Sequence, residues 1–181
     1  MDIVEFFQLS EGKWFSQRTS HHLAFKRSES GKSNLHVEMR PKTSPEVVSL
    51  CEQHNVNPES AVCGARITQD GNMEWDKGKR TGSTLLVLIA DPNRPNEGQF
   101  LQNVGHSEKA PITSRYILGN DDVLTLITEY ETMSSEERLW FASPNLRLRT
   151  STLKCSDDFS MTSFCSEIRM GGVKPQEKGE G

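Results

Sequence analysis

Apolar residues recur at helical spacing in two short segments of the chain. In residues 2–9, Ile3, Phe6 and Phe7 fall on one side of a helix, which predicts a short amphipathic helix. A second helix is predicted to begin at Ser44, because Ser44 can act as a cap and the proline that follows suits the first turn. Its apolar side continues to about residue 55. The pattern predicts no other helix.

The remaining segments read as strands separated by turn-forming residues. The predicted strands cover residues 12–25, 34–39, 61–68, 73–76, 83–90, 99–104, 112–118, 123–132, 137–141, 146–152 and 161–168. Turns are predicted at residues 28–32 and at Asp70-Gly71-Asn72, since an Asp-Gly pair tolerates positive φ. The compositions of residues 91–96, 119–122 and 143–145 also predict turns.

These elements predict an all-β fold with one or two short helices. About ten strands joined by hairpin-like turns form an antiparallel up-and-down meander, and closure into a barrel removes its two edges. A barrel of roughly eight to ten strands is wide enough to hold one small ligand. We expect a single barrel domain over residues 1–170. Residues 171–181 have no apolar period and are predicted to form a disordered tail.

Charge and composition exclude two classes of protein. The 181 residues include 21 Lys and Arg against 25 Asp and Glu, a formal net charge of −4, whereas a nucleic-acid-binding protein needs concentrated basic charge. The longest strongly apolar run, residues 85–90, is much shorter than the about 20 residues that cross a bilayer. The N-terminus is acidic and has no long apolar core, so no signal peptide is predicted. We expect a soluble, cytoplasmic protein with no nucleic-acid or membrane partner.

Four cysteines, Cys51, Cys63, Cys155 and Cys165, are spread along the chain without close pairs. A zinc site usually draws its ligands from closely spaced pairs, and a secreted disulfide scaffold is usually shorter and richer in cysteine. We therefore expect four reduced, mostly buried thiols and no metal site.

Gly12-Lys13-Trp14 is the first motif with a structural meaning. It is similar to the G-x-W motif on the first strand of lipocalin-type barrels. There the indole packs across the closed end of the barrel against an Arg from a late strand, in a cation–π contact. Candidates for that Arg lie in Leu146-Arg147-Leu148-Arg149. The alternative is a core tryptophan with no family meaning.

Seven different segments of the chain are more specific than this motif when they are taken together. One of them is Glu136-Glu137-Arg138-Leu139-Trp140-Phe141-Ala142. The others are residues 6–23, 62–64, 73–75, 129–130, 145–151 and 164–169. Together they resemble the S-type phycobiliprotein lyases, the bilin lyases of cyanobacteria and some algal plastids. The resemblance extends over residues 4–170.

The resemblance implies a lipocalin-like barrel that binds an open-chain tetrapyrrole and delivers it to a cysteine of an apo-phycobiliprotein subunit. The bilin, phycocyanobilin or phycoerythrobilin, is the bound substrate, and no further cofactor is implied. Members of this family act as homodimers or with a related lyase subunit. The implied location is the cyanobacterial cytosol, or the plastid stroma in an alga.

Arginines are the natural partners of the two bilin propionates, because a guanidinium offers a charge-assisted fork. Arg147 and Arg149 share one face of a strand with Ser151, and Arg18 shares a face with Trp14. This face either points into the barrel and binds propionates, or points outward and leaves the intervening leucines in the core. Alternation alone leaves both readings open.

Carboxylates and imidazoles suit the protonated pyrrole nitrogens. His21 is the preferred bilin contact, with a surface histidine as the alternative, and His21 and Glu131 are the candidates for aiding proton transfer. Trp75, Tyr130 and Trp140 either stack on the tetrapyrrole or fill the core. The reactive thiol belongs to the acceptor subunit, so the implied work of the protein is positioning. The rival function is a non-catalytic barrel that carries a tetrapyrrole or another hydrophobic small molecule.

Overall fold

Ten strands and two α-helices form within the residues that the computed structural model describes, namely 1–73, 76–103, 113–156 and 160–172. The helices are α1 (Ile3–Ser10) and α2 (Pro45–Gln53), and one 3-10 turn covers Pro58–Ser60. The strands are β1 (Gly12–His22), β2 (Arg27–Arg40), β3 (Ala61–Met73), β4 (Asp76–Asp91), β5 (Arg94–Gln102), β6 (Thr113–Leu118), β7 (Leu124–Glu129), β8 (Met133–Ser143), β9 (Leu146–Cys155) and β10 (Ser160–Arg169). Both predicted helices are confirmed.

The strands form a closed antiparallel barrel in which each strand pairs with the next along the chain. β1 pairs with β10, from Trp14 opposite Arg169 to His22 opposite Met161, and this pairing closes the ring. A closed ring has no free edge on which another chain could add a strand. The predicted fold, an antiparallel up-and-down barrel of about ten strands, is confirmed.

Helix α1 packs into one end of the barrel. Asp2 caps it in a reciprocal capping box, since the Glu5 N–H donates to Asp2 Oδ1 at 2.8 Å and the Asp2 N–H donates to Glu5 Oε2 at 2.8 Å. Its buried face, Ile3, Phe6 and Phe7, joins the apolar interior of the barrel. The helix therefore forms the floor of the barrel.

Apolar side chains from β3 to β8 fill the barrel above that floor. The fully or nearly buried members on the strands are Cys63, Ala65, Leu86, Leu88, Phe100, Tyr116, Leu118, Leu124 and Leu139. We refer to the members on β3 to β7 as the apolar wall.

Helix α2 lies on the outer surface of the barrel. Val47, Leu50 and Cys51 pack on side chains of β4 and β5 that alternate outward, including Leu85 and Val87. Residues 85–88 are therefore buried on both faces of the sheet, which explains why the sequence is continuously apolar there. In the described part of the chain, no helix is both long enough and apolar enough to cross a membrane.

The predicted turn at residues 28–32 is wrong. These residues lie inside β2, and the chain turns at residues 23–26, where Lys26 adopts a φ of 49°. Ser28 pairs with His21 and Gly31 with Arg18, so the Gly-Ser-rich segment is paired extended backbone. Its polar composition reflects an outer face in water and a polar inner face.

The predicted turn at Asp70-Gly71-Asn72 is also wrong, because β3 continues through these residues to Met73. Gly71 lies opposite Ser33 of β2, and a Cβ at Gly71 would come within 2.4 Å of the Ser33 Cβ. The glycine is thus required by a close approach between two strands. Glycine stands at this position because the two strands pack closely there, and not because the chain forms a hairpin turn.

Candidate functional site

One side of the barrel interior is lined by charged and hydroxyl side chains, and we call it the charged wall. It comprises the inward-facing residues Ser16, Arg18 and Ser20 on β1, Glu137 on β8, Arg147, Arg149 and Ser151 on β9, and Ser163, Cys165 and Glu167 on β10. Hairpin pairing places these residues side by side, as in Ser151 opposite Ser163 and Arg149 opposite Cys165. The inward orientation of Arg147 and Arg149, one of the two readings of the sequence, is the one observed.

Glu167 joins the two arginines of β9 at the centre of this wall. Arg147 Nε donates to Glu167 Oε2 at 2.6 Å, and Arg149 Nη2 donates to Glu167 Oε1. The side chain of Glu167 is 1 % exposed, that of Arg147 is 5 % exposed and that of Arg149 is 17 % exposed. A carboxylate this deeply buried requires paired cations, and both of its oxygens have one.

The arginines keep Glu167 ionised in spite of its burial. Burial alone would raise the pKa of the carboxyl group, but Arg149 and Arg147 together hold the pKa below its ordinary value. Burial likewise disfavours the charged form of Arg149, yet the carboxylates Glu167 and Glu137 more than offset this and raise its pKa. The wall therefore holds permanent charges inside the barrel.

Arg149 retains a donor that the network does not use. Its Nε is buried and has no hydrogen-bond partner among the described residues. Nearby, Arg18 Nε donates to Cys165 Sγ at 3.4 Å, a weak hydrogen bond, and the Ser151 and Ser163 hydroxyls are 2.6 Å apart. A buried guanidinium N–H without a partner is costly, and an anionic ligand would satisfy it.

Trp14 and two arginines close the barrel at the floor. Trp14 is fully buried, and its Nε1 donates to the carbonyl oxygen of Ser10 at 2.8 Å. The Arg169 guanidinium lies 4.1 Å from the centre of the indole ring and the Arg147 guanidinium 4.9 Å from it. Arg169 also donates to the carbonyl oxygens of Leu9 and Glu11 at the end of α1. The expected cation–π contact is present, with Arg147 from the predicted segment and Arg169 in addition.

Four of the other predicted residues, all of them described, lie away from the charged wall. His21 is exposed, because alternation along β1 turns it outward and turns its neighbour His22 inward, toward Glu29 at 3.5 Å. Trp140 is half-buried on the outer face of β8, opposite Leu148. Exposed Glu131 and half-buried Tyr130 follow the end of β7. Trp75 and its neighbour at position 74 lie outside the described residues.

Sequence reasoning missed Glu167 and Arg169. Both lie in a segment quoted for the resemblance, and alternation from Cys165 puts them on the inward face. The available signal was that charged residues alternate in both late strands. Glu167 and Arg169 do so on β10, and Arg147 and Arg149 do so on β9.

The interior thus combines an apolar wall with a charged wall that presents arginine donors. This combination suits a flat apolar ligand that carries carboxylates. In the described residues, no group of three or more His, Cys, Asp and Glu side chains is arranged to hold a metal ion. All four cysteines are free thiols, and Cys51, Cys63 and Cys165 are buried, as predicted.

Comparisons with known proteins agree with this geometry. The profile of the family described as CpeS-like protein matches residues 2–170. A chromophore lyase CpcS/CpeS of Thermosynechococcus vestitus is 59 % identical, with 97 % of this chain and 96 % of that protein aligned. A phycocyanobilin lyase subunit CpcS of Picosynechococcus is 45 % identical over 93 % of this chain and 86 % of its own length. Among solved structures, the S-type phycobiliprotein lyase of Guillardia theta superposes with a TM-score of 0.86 at 31 % identity, covering 96 % of this chain and 95 % of its own.

Proposed function

The chain belongs to the CpeS-like family, and we propose that it is a chromophore lyase that holds a free phycobilin in its barrel and presents it to a cysteine of an apo-phycobiliprotein subunit. The observation that carries the proposal is the charged wall inside the barrel, in which Arg149 has a buried Nε donor without a hydrogen-bond partner among the described residues. A barrel that bound only uncharged hydrophobic molecules would gain nothing from such a group.

The proposed bilin contacts are the inward arginines. Arg149 and Arg18, on adjacent parts of the wall, supply donors for the propionates. Arg147 is committed to Glu167 and to the ring of Trp14, so its share in binding is smaller. Tyr130 and Trp75 stay predictions for stacking. His21 and Trp140 lie on the outer face of the barrel, so they do not share the interior with these arginines.

The attachment chemistry needs little from the barrel beyond orientation. The thiol of the acceptor adds across the ethylidene double bond of ring A, so that one sulfur–carbon bond forms and the thiol proton ends on the neighbouring ring carbon. No oxidant or reductant is consumed. By holding the propionates, the protein fixes which face of ring A meets the thiolate, and fixed orientation of this kind accounts for large rate effects.

We infer that the partners are a phycobilin and a phycobiliprotein subunit, and that the protein works in the cyanobacterial cytosol or, in an alga, in the plastid stroma. Both phycocyanobilin and phycoerythrobilin carry two propionates, so the arginines serve either bilin.

The proposal is tested by transfer of colour. The purified protein is mixed with phycocyanobilin, or in parallel phycoerythrobilin, and with the apo-subunit, and the mixture is denatured. We expect colour to stay on the subunit only when the protein is present, and free bilin to give a red-shifted absorbance when titrated with protein. Arg149→Gln should weaken bilin binding by about 1.5–3 kcal/mol. Arg138→Gln is the matched control, because Arg138 is exposed on the outer face of β8.

Each result has a distinct meaning. Colour that stays with the barrel and is lost on denaturation identifies a carrier and overturns the lyase proposal. Unchanged bilin affinity in Arg149→Gln refutes the assigned site, while transfer by the wild-type protein would still support the function.

A further inference from the structure

Glu167 is in an unusual position for a protein that binds carboxylates. It lies directly against Arg147 and Arg149, and it already occupies donors of both guanidinium groups. A bilin propionate that approaches Arg149 would meet a cation that is already paired. The Glu167 carboxylate therefore competes with any ligand carboxylate for the arginines of the charged wall.

Arginines outnumber carboxylates on the inner face of these strands. The inward-facing arginines and carboxylates of β1, β8, β9 and β10 are four cations, Arg18, Arg147, Arg149 and Arg169, and two anions, Glu137 and Glu167. Without Glu167, four buried or half-buried arginines would face one carboxylate in the empty barrel. Unpaired buried charge is strongly destabilising. Glu167 thus stabilises the barrel before any ligand has entered.

The hydrogen bonds of Arg149 show where Glu167 and a ligand would compete. Glu167 takes Nη2 of Arg149 and leaves its Nε without a partner among the described residues. A ligand carboxylate at Nε would lie on the same guanidinium as the Glu167 carboxylate. Two anions at one cation repel each other, and this repulsion is only weakly screened inside a protein. The group that stabilises the empty barrel therefore opposes the loaded one.

We propose that Glu167 is an internal stand-in for the ligand carboxylate, which stabilises the empty barrel and limits the affinity for bilin so that the bilin leaves for the acceptor. This inference rests on the proposed function, because it takes a bilin propionate as the anion at Arg149. A protein that passes its ligand on gains nothing from very tight binding, since affinity is mostly lost or gained in the dissociation rate. Glu167 sets that rate without touching the reacting atoms.

The test is Glu167→Gln, which removes the charge and keeps the shape. We expect three changes together: a lower melting temperature of the empty protein, a phycocyanobilin Kd that is about tenfold tighter, and a bilin dissociation rate lower by a similar factor. Binding of phycocyanobilin should also raise the melting temperature more in the variant than in the wild type. A purely structural role would lower stability and leave affinity unchanged or weaker.

Glu46 provides the matched control. It also bridges two arginines, accepting from Arg40 Nε at 2.5 Å and from Arg66 Nη2, but it lies on the outer surface at the start of α2 and is 28 % exposed. Glu46→Gln should cost some stability and leave the phycocyanobilin Kd unchanged. A change of affinity in both variants would mean a general effect of net charge and would overturn the proposal.

A second variant covers the case in which Glu167→Gln does not fold. Arg147→Met combined with Glu167→Met removes an ion pair as a unit, a change that proteins often tolerate. Arg149 then has no competitor for the ligand, and the phycocyanobilin Kd should again tighten. Wild-type or weaker affinity in the variant that folds refutes the role of Glu167, even if the wild-type protein transfers bilin. Absence of phycocyanobilin binding by the wild-type protein itself would instead refute the proposed function.

Discussion

The apolar wall and the charged wall close the same barrel by different physics. Side chains such as Leu88 and Leu124, both fully buried, contribute free energy in proportion to the apolar area that they remove from water. Arg147, Arg149 and Glu167 are almost as deeply buried, but the cost of removing them from water offsets much of their mutual attraction. We therefore assign stability mainly to the apolar wall, and we propose that the charged wall recognises the ligand.

This division makes the two walls respond differently to change. The apolar wall tolerates the loss of any one group in proportion to the volume lost. The charged wall is a network, in which the loss of one member leaves another buried without its partner. Variants of similar destabilisation should therefore differ in their effect on bilin.

Arg147→Gln is expected to have the largest effect. The substitution removes one of two cations from buried Glu167 and one of two guanidinium groups from the ring of Trp14. We expect a loss of about 4 kcal/mol in the free energy of unfolding, measured by urea denaturation, together with weaker bilin binding. A loss below about 1 kcal/mol would mean that the network does not stabilise the barrel.

Leu88→Ala should cost nearly as much stability without affecting recognition. Leu88 is fully buried in the cluster that includes α1, so its truncation leaves a cavity. We expect a loss of about 3 kcal/mol and an unchanged bilin Kd in the folded fraction. Weaker binding as large as that of Arg149→Gln would show that the two walls are not separate in function.

The free energy of unfolding should depend on the charged wall at acid pH and on the apolar wall at alkaline pH. Glu167 has a pKa below its ordinary value, so its contribution is present above about pH 4.5 and is lost as the pH falls through the lower folded pKa. Burial raises the pKa of Cys63 from 9.0 to about 11, so the contribution of this thiol is complete below pH 9.0 and is lost between there and about 11. Burial also raises the pKa of Tyr116 to about 12.

Unfolding free energies measured from acid to alkaline pH check both limbs. Glu167→Gln should flatten the acid limb and leave the alkaline limb intact, whereas Cys63→Ser should do the reverse. Identical profiles for the two variants would contradict the assignment.

Tyr116→Phe should have the smallest effect and the opposite sign. The Tyr116 hydroxyl is buried in the apolar wall and has no hydrogen-bond partner among the described residues. The ring is needed, because it packs over Gly98, where a Cβ would lie 2.7 Å from Tyr116 Cε1. Removal of the hydroxyl alone should raise the free energy of unfolding by about 1 kcal/mol. A loss of stability would show that the hydroxyl is satisfied.

The barrel itself was predictable, but two of its turns were not. Helical spacing at Phe6 and the proline after Ser44 are local signals, and both helices form, although the Ser44 side chain makes no cap hydrogen bond. At Gly31 and Gly71 the same kind of local reading failed, because Gly31 is paired backbone within β2 and Gly71 lies where β3 closely approaches β2. Propensity describes what a residue permits, and tertiary pairing decides how it is used.

The sequence predicted the kind of side chains in the candidate site better than it predicted which residues lie there. Arg147 and Arg149 could be placed on one face from alternation, but the direction of that face depends on closure of the ring. His21 and His22 differ by one position, and that position decides between the outer surface and the interior. Glu167 was missed because its meaning arises only when β10 is paired with β9, which no local pattern states.

The contact between Arg169 and the end of α1 has a consequence for how the chain folds. Arg169 donates to carbonyl oxygens of residues about 160 positions earlier, and its strand is also the one that pairs with β1. During synthesis the first nine strands can pair with their neighbours as they emerge, but the pairing of β1 with β10 and the Arg169 contacts to the end of α1 wait for β10. Contacts of such long range are slow to form. The nascent sheet therefore stays open until β10 has left the ribosome, and bilin capture waits for closure of the ring.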